Sequence, residues 1–254
     1  MEPLIKTRAD APDGFFEAEA AGLRWLGEAG GVRVAAVVDV SPGRIVLERI
    51  ATGRTDAAAA ASFGAALAAT HDAGAAAFGA KPAGWDGPVF IGRLAQPCQP
   101  QASWGSFYAT QRVRPFLAPA VDAGNLAMRD VDLVERACDI IAAGTFDDDD
   151  PPARIHGDLW NGNVLWSPEG VVLIDPAAHG GHRETDLAML DLFGCPHLDD
   201  IVGAYDHAHP LRSGWPERVP VHQLHPLAVH AVGHGPAYGT ALADAARRTI
   251  ALAG

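Results

Sequence analysis

The chain has 254 residues, 48% of them hydrophobic, enough to bury a large core in one compact domain or two closely packed lobes. Its 31 acidic residues outnumber 19 basic ones, giving a formal net charge of −12. With no cluster of Lys and Arg to release counterions, DNA and RNA are not expected partners. No uncharged apolar run approaches the roughly eighteen residues of a membrane span, and the opening MEPLIKTRAD lacks the apolar stretch of a signal peptide. The three cysteines, Cys98, Cys138 and Cys195, contain no CxxC pair. A soluble cytoplasmic protein, expected to be a monomer without a disulfide framework or zinc site, fits these features.

Pro3 to Thr7 predicts a short strand, followed by a turn and an amphipathic helix from about Phe15 to Glu28. Val32 to Val40 and Arg44 to Ile50 read as an antiparallel hairpin around Ser41, Pro42 and Gly43. A small β-rich lobe is therefore expected over residues 1–50. From 51 to 254 the pattern is mostly helical: Thr55 to Ala73, Trp104 to Ala123, Arg129 to Ala143 and Arg183 to Phe193 all predict helices. The Pro- and Gly-rich stretch Gly79 to Ser103 predicts a long functional loop. Asp147 to Asp150, before two prolines, reads as a solvated structural turn. Val164 to Trp166 and Val171 to Ile174 flank SPEG and predict a second hairpin.

The chemistry is concentrated in HGDLWNGNVLW, His156 to Trp166, and VVLIDP, Val171 to Pro176. Asp158 and Asn163 form a DxxxxN arrangement, and Asp175 ends an apolar strand twelve residues later. That spacing matches the catalytic loop and metal-binding Asp of kinases. Phosphoryl transfer needs a carboxylate to take the acceptor hydroxyl's proton, the role assigned to Asp158. Mg²⁺ prefers oxygen donors, which Asn163 and Asp175 supply beside the phosphates of ATP. His156 is expected to brace the loop. In the first lobe Glu19 shares a helical stripe with Phe15, Leu23 and Leu26, so its carboxylate should face inward and require a cation. Lys6 on the preceding strand is the candidate, and the two would position the nucleotide phosphates. An ordinary surface ion pair is the bland alternative. Backbone groups around Glu48, Arg49 and Ile50 are expected to meet adenine at the hinge. Trp160 and Trp104 are candidates for stacking against a sugar, although packing is the commoner role for such rings. The histidines between His207 and His234 fit no metal-ligand spacing and are read as helix-surface and core residues.

These motifs resemble the fructosamine kinase (ketosamine-3-kinase) family, within the aminoglycoside-phosphotransferase-like branch of the protein-kinase-like fold. HGDLWNGN resembles the family's HGDLWSGN, and IDPAAHGGHRETDLAML its IDPA and GDREADLAM segments. FFEAEAAGLRWL and IGRLAQP are similar to family sequence as well. The resemblance spans nearly the whole chain, and Trp160 favours the ketosamine group over antibiotic kinases. It implies an α+β, two-lobed fold, with Asp158 as base, Asn163 and Asp175 as Mg²⁺ ligands and Lys6 with Glu19 as the phosphate-positioning pair. It also implies ATP-dependent phosphorylation of a ketosamine at the third carbon of its sugar, a deglycation step. Glu184 and Asp186 match the family's READ, and Asp186 is expected to receive N–H groups at the start of its helix. Family members carry two strands and a Gly-containing loop before the Lys strand, whereas five residues precede Lys6. The first lobe is therefore expected to be truncated and to lack its phosphate lid, through an upstream start codon or loss of activity. Cys98 stands where the family often has Asn. Another small-molecule kinase of the aminoglycoside or choline type, and a catalytically impaired binding module, are the alternatives.

Overall fold

A short edge strand, β1 (Leu4–Thr7), opens the described part of the chain, residues 2–254 of this computed structural model. Along β1, Leu4 and Lys6 are partly buried while Ile5 and Thr7 are exposed. The two-residue period of a strand thus turns Lys6 toward the face covered by α1 (Phe15–Gly27). From α1, Phe16, Ala20 and Leu23 close over Ile45 and Leu47 to form the small core of this region.

The expected strand Val32 to Val40 is broken in two. β2 (Arg33–Val34) joins a different sheet from β3 (Val37–Ser41), which pairs with β4 (Arg44–Leu47) in the antiparallel order β1-β4-β3. The division falls at two alanines: Ala35 N–H donates to Leu173 O at 3.0 Å, while Ala36 O accepts from Glu48 N–H at 2.8 Å. Consecutive residues therefore tie the first sheet to the hairpin that carries Asp175.

Asp56 caps α2 (Ala57–Asp72) by accepting from Ala59 N–H at 2.8 Å. Gly64 lets this helix approach Ile201, since a Cβ there would collide with the Ile201 carbonyl. The stretch Gly79 to Ser103 is more ordered than its composition suggests. It contains a hairpin, β5 (Val89–Ile91) and β6 (Leu94–Gln96), joined by Gly92, in the left-handed region at φ 53°, and Arg93.

The single helix expected from Trp104 is interrupted. α3 (Trp104–Phe107) leads through a wide π-type segment, Tyr108–Val113, and a tight turn, Arg114–Phe116, into α4 (Leu117–Asp122). Pro115 and Pro119 supply no N–H to a regular ladder. α5 (Met128–Ala142) then packs Val134, Ala137, Cys138 and Ile141 into the large core.

β7 (Ala153–Ile155) leads to the 156–163 loop, the hairpin β8 (Val164–Ser167) and β9 (Gly170–Leu173), and β10 (His179–Gly181), which pairs antiparallel with β7. β9 also receives β2 in parallel. Four helices complete the fold: α6 (Arg183–Leu192), α7 (Leu198–Ala208), α8 (Trp215–Gly233) and α9 (Pro236–Ala253). Pro226 within α8 leaves the His222 carbonyl without its usual helical donor. The buried Tyr108 hydroxyl donates to that carbonyl at 2.5 Å and accepts from His225 N–H at 3.0 Å.

The turn at 147–150 is anchored rather than solvated. Asp147 accepts from Gly105 N–H at 2.7 Å, Asp148 lies beside His182 and Arg212, and Asp150 pairs with Arg183 at 2.6 Å. Its reading as structural stands, with charge pairing in place of hydration. His222 and His225 are buried in the core, and His230 bonds the Pro226 carbonyl. Among the described residues, no helix is long and apolar enough to cross a membrane.

Candidate active site

The 156–163 loop is shaped by backbone before side chains. Gly157 sits at φ 79°, and a Cβ there would strike the Ala177 carbonyl, so only glycine fits. Asp186, fully buried on α6, accepts from His156 N–H at 2.7 Å and from Gly157 N–H at 3.0 Å. It therefore fastens the loop rather than the start of its own helix. His182 makes that cap, accepting from Glu184 N–H at 3.2 Å. His71 steadies Asp186 at 3.1 Å and contacts the Tyr205 hydroxyl at 2.8 Å.

His156 Nδ1 accepts from Asp158 N–H at 3.2 Å, which leaves Nε2–H to donate to Ile174 O at 2.9 Å. Burial holds its pKa below the ordinary value, so the imidazole is a neutral brace. Asn163 Nδ2 donates to the Asp158 carbonyl at 2.8 Å and to its carboxylate at 3.2 Å. Both amide donors are thereby directed at Asp158, leaving the amide oxygen for another partner. The Asn163 carbonyl in turn accepts from Ile174 N–H at 3.2 Å, which fixes the strand end that presents Asp175. Asp175 itself has φ 54°, an uncommon conformation for a residue with a side chain.

Across from this loop, Lys6 Nζ lies 2.8 Å from Glu19 and also pairs directly with Asp175. Lys6, Glu19, Asp158, Asn163 and Asp175 all line one cleft of about 470 Å³ between α1 and the 156–163 loop. Trp160, 40% exposed, forms part of the same wall. The stretch around β5 and β6 contributes Trp85, Phe90 and Arg93, and Arg8 follows directly on β1. Sequence reasoning named none of these four, although the length of that Gly- and Pro-rich stretch was a signal.

Burial decides the electrostatics. It pushes Asp158 up to about 7, against the hydrogen bond from Asn163 and helped by the charges of Asp175 and Asp186. Glu19 is likewise pushed up to about 7 by burial, which outweighs the attraction of Lys6. For Lys6, burial acts downward, but Glu19 and Asp175 together hold its pKa above the ordinary value. Two carboxylates thus share one ammonium, with a third close by.

Other candidates lie elsewhere. Trp104 is 2% exposed and stacks on Tyr108 with centroids 4.8 Å apart, so its ring is core and does not line the cleft. Glu48, Arg49 and Ile50 follow β4 but do not line the cleft, and Glu48 pairs with Arg33. Two further groups of side chains are close enough to suggest a metal, His182 with Glu184 and His222, and Asp148 with Asp150 and His182. Arg218 grips Glu184 at 2.9 and 2.5 Å, and Arg183 and Arg212 pair with the aspartates. Both are charge-matched structural clusters.

Two lobes around a cleft that combines a Lys–Glu pair with an Asp, Asn and Asp set define an ATP-dependent small-molecule kinase of the protein-kinase-like fold. A profile of the fructosamine kinase family matches residues 3–251, and the chain belongs to that family. It is 31% identical over 242 residues to the probable ketoamine kinase of Enterococcus faecium, covering 93% of this chain and 83% of that protein. A solved structure from Thermobifida fusca, provisionally assigned as a fructosamine-3-kinase, shares 47% identity at TM-score 0.90, covering 97% of this chain and 85% of the other. At 14% identity and TM-score 0.55, a thermostable mutant of aminoglycoside phosphotransferase APH(4)-Ia in complex with ADP and hygromycin B shares the fold, covering 92% of this chain and 82% of that one.

Proposed function

We propose that this protein uses ATP and Mg²⁺ to phosphorylate the hydroxyl on the third carbon of a ketosamine's sugar, a step that labels sugar adducts for removal. The observation that carries the reading is the convergence of Lys6, Glu19, Asp158, Asn163 and Asp175, from four separate segments, on one cleft. In this reading Asp158 is the base. A carboxyl poised at about 7 can accept the acceptor's proton near neutral pH as the hydroxyl oxygen bonds the γ-phosphorus and ADP leaves.

The donor set fits Mg²⁺. Asn163 has its amide oxygen directed away from Asp158, and Asp175 contributes a carboxylate at the cleft wall. When bound, the ion supplies positive charge for the phosphate oxygens. Lys6 holds the nucleotide phosphates, with Glu19 keeping its ammonium in place. Adenine is assigned to the Glu48–Ile50 backbone. The Glu48 N–H is already given to Ala36 O, so this role falls to Arg49 and Ile50. Trp160 offers its exposed face to the sugar.

The test is to incubate the protein with ATP, Mg²⁺ and fructosyl- or ribulosyl-lysine, with an aminoglycoside and choline as comparison acceptors, and to locate the phosphate by NMR. A 3-phosphate on the ketosamine alone, abolished in Asp158→Asn, is expected. Phosphate on another carbon, or transfer only to a comparison acceptor, would overturn the assignment.

A further inference from the structure

Behind β7 and β10, away from the cleft, lies a small internal cavity bounded by Arg112, Trp104, His225, His179, Phe107 and Thr185. It offers about 10 Å³ to the centre of an occupant, room for one small guest. Arg112 is 1% exposed and, among the described residues, has no carboxylate within ion-pair distance. None of its partners is a carboxylate: Nε donates to His179 Nε2 at 3.3 Å, Nη1 to Pro97 O at 2.5 Å and Gln111 O at 3.0 Å, and Nη2 to Cys98 Sγ at 3.6 Å, a sulfur that itself donates to Gly79 O at 3.3 Å as a thiol does. His179 is neutral because its Nδ1–H donates to Ala177 O at 2.7 Å while Nε2 accepts. The Phe107 ring, 4.4 Å from the guanidinium, adds a quadrupole but no charge.

An isolated buried cation is strongly disfavoured, and a guanidinium does not shed its proton to escape. The nearby carboxylates are committed elsewhere, Asp148 to His182 and Arg212, and Glu184 to Arg218 and His222. Four hydrogen-bond acceptors also leave one of the five guanidinium N–H groups over.

A second observation comes from the same walls. Trp104 Nε1 and His225 Nε2, on side chains 2% and 3% exposed, have no hydrogen-bond partner among the described residues. Indole N–H is only ever a donor, and His225 can present a donor at Nε2 as its neutral tautomer. Orphaned buried donors of this kind each cost free energy unless something accepts from them. A water molecule would satisfy donors but leave the Arg112 charge uncompensated.

We propose that this cavity is a binding site for a single monovalent anion of chloride size, neutralising Arg112 and accepting from Trp104 and His225. The site is independent of phosphoryl transfer and helps hold the irregular Trp104–Asp122 segment against β10 and α8.

The test replaces chloride by bromide in crystallisation of the full chain, with diffraction data collected at the bromine absorption edge. An anomalous peak between Arg112, Trp104 and His225 is expected, together with a saturable rise in Tm in chloride over gluconate at matched ionic strength. Arg112→Gln should lose the halide dependence. Should that variant not fold, Cys98→Ser, which retains the guanidinium, should keep the bromide peak. Water density with no anomalous signal would overturn the proposal. So would thiolate absorbance from Cys98 at neutral pH in the wild type, which would make that sulfur the counter-charge.

Discussion

Two charge clusters, one buried around α6 and one partly open in the cleft, flank the 156–163 loop, and they are wired in opposite ways. Around α6 three carboxylates have partners of their own: Glu184 has Arg218 and His222, Asp150 has Arg183, and Asp186 has His71 and two backbone N–H groups. In the cleft, Glu19 and Asp175 share Lys6, while among the described residues the Asp158 carboxylate has the Asn163 amide and no cation. The titration behaviour follows. Burial alone would raise Glu184, yet bonds from His222 and Arg218 bring it down to about 2, whereas Asp158 and Glu19 rise to about 7. The most buried of the three carboxyls is thus the most acidic, so burial alone does not set the chemistry. The α6 cluster is a matched frame, and the cleft holds surplus negative charge that a metal and a proton can exploit.

The contrast is broken most sharply by removing one cleft carboxylate. Asp158→Asn should lower kcat by at least about 100-fold, the usual contribution of a positioned base. It should also raise Tm, because burial disfavours the charge being removed. Each 1 kcal/mol corresponds to about 2–4 °C in a chain of this size. Calorimetry beside steady-state kinetics checks both. A variant that lost activity and stability together would place Asp158 in the frame instead of the working site.

The same substitution in the frame should do the reverse. Glu184→Gln removes the buried half of the Glu184–Arg218 pair, leaves the buried His222 facing an amide, and should cost about 3 kcal/mol, read by urea denaturation, with kcat of the folded fraction nearly unchanged. The pH dependence carries the same sign. The folded-state pKa of Glu184 is depressed, so its stabilisation is complete above the ordinary carboxylate range and is lost as pH falls toward about 2. A mutant whose stability still fell like the wild type across that acid window would contradict this.

How much of this contrast was legible beforehand depended on whether a side chain's partner lay near it in sequence. Asp158, Asn163 and Asp175 sit on one loop and one hairpin, so their spacing sufficed to bring them together. The inward facing of Glu19 followed from the α1 stripe, which needs no tertiary knowledge, and Lys6 was the candidate cation on the preceding strand. The direct contact between Lys6 and Asp175 was not legible, being 169 positions apart. The frame was hidden for the same reason: Asp186 read as a helix cap because a local role is all that sequence offers. Trp104 and Trp160 looked alike as candidates, yet one is core and the other cleft wall, a difference set by helices that meet far along the chain. The broken strand at Ala35 and Ala36 was missed because β2 pairs with a strand more than a hundred positions away.

Lys6 offers a milder way to sharpen the comparison. Lys6→Met removes the cation that Glu19 and Asp175 share and should raise KM for ATP roughly tenfold, the equivalent of about 1.4 kcal/mol, with a smaller fall in kcat. Isothermal titration with a non-hydrolysable ATP analogue separates binding from turnover. Unchanged nucleotide affinity would mean that Lys6 serves only to neutralise the two carboxylates.

The smallest effect is the most direct reading of the cleft's charge surplus. Asp158 must be ionised to take a proton, and its folded-state pKa is raised to about 7, so kcat/KM should fall as pH drops through that value. With a single base of this pKa the ionised fraction changes roughly threefold between pH 7.5 and 6.5. An ordinary carboxylate would give a flat profile over that interval. Glu19 titrates in the same range, so the limb alone does not distinguish the two groups. Repeating the profile in Glu19→Gln does. The substitution removes one titration and leaves Asp158 in place, so the acid limb should persist near 7. Its disappearance would assign the limb to Glu19 and to the grip of Lys6 on the nucleotide, leaving Asp158 ionised throughout.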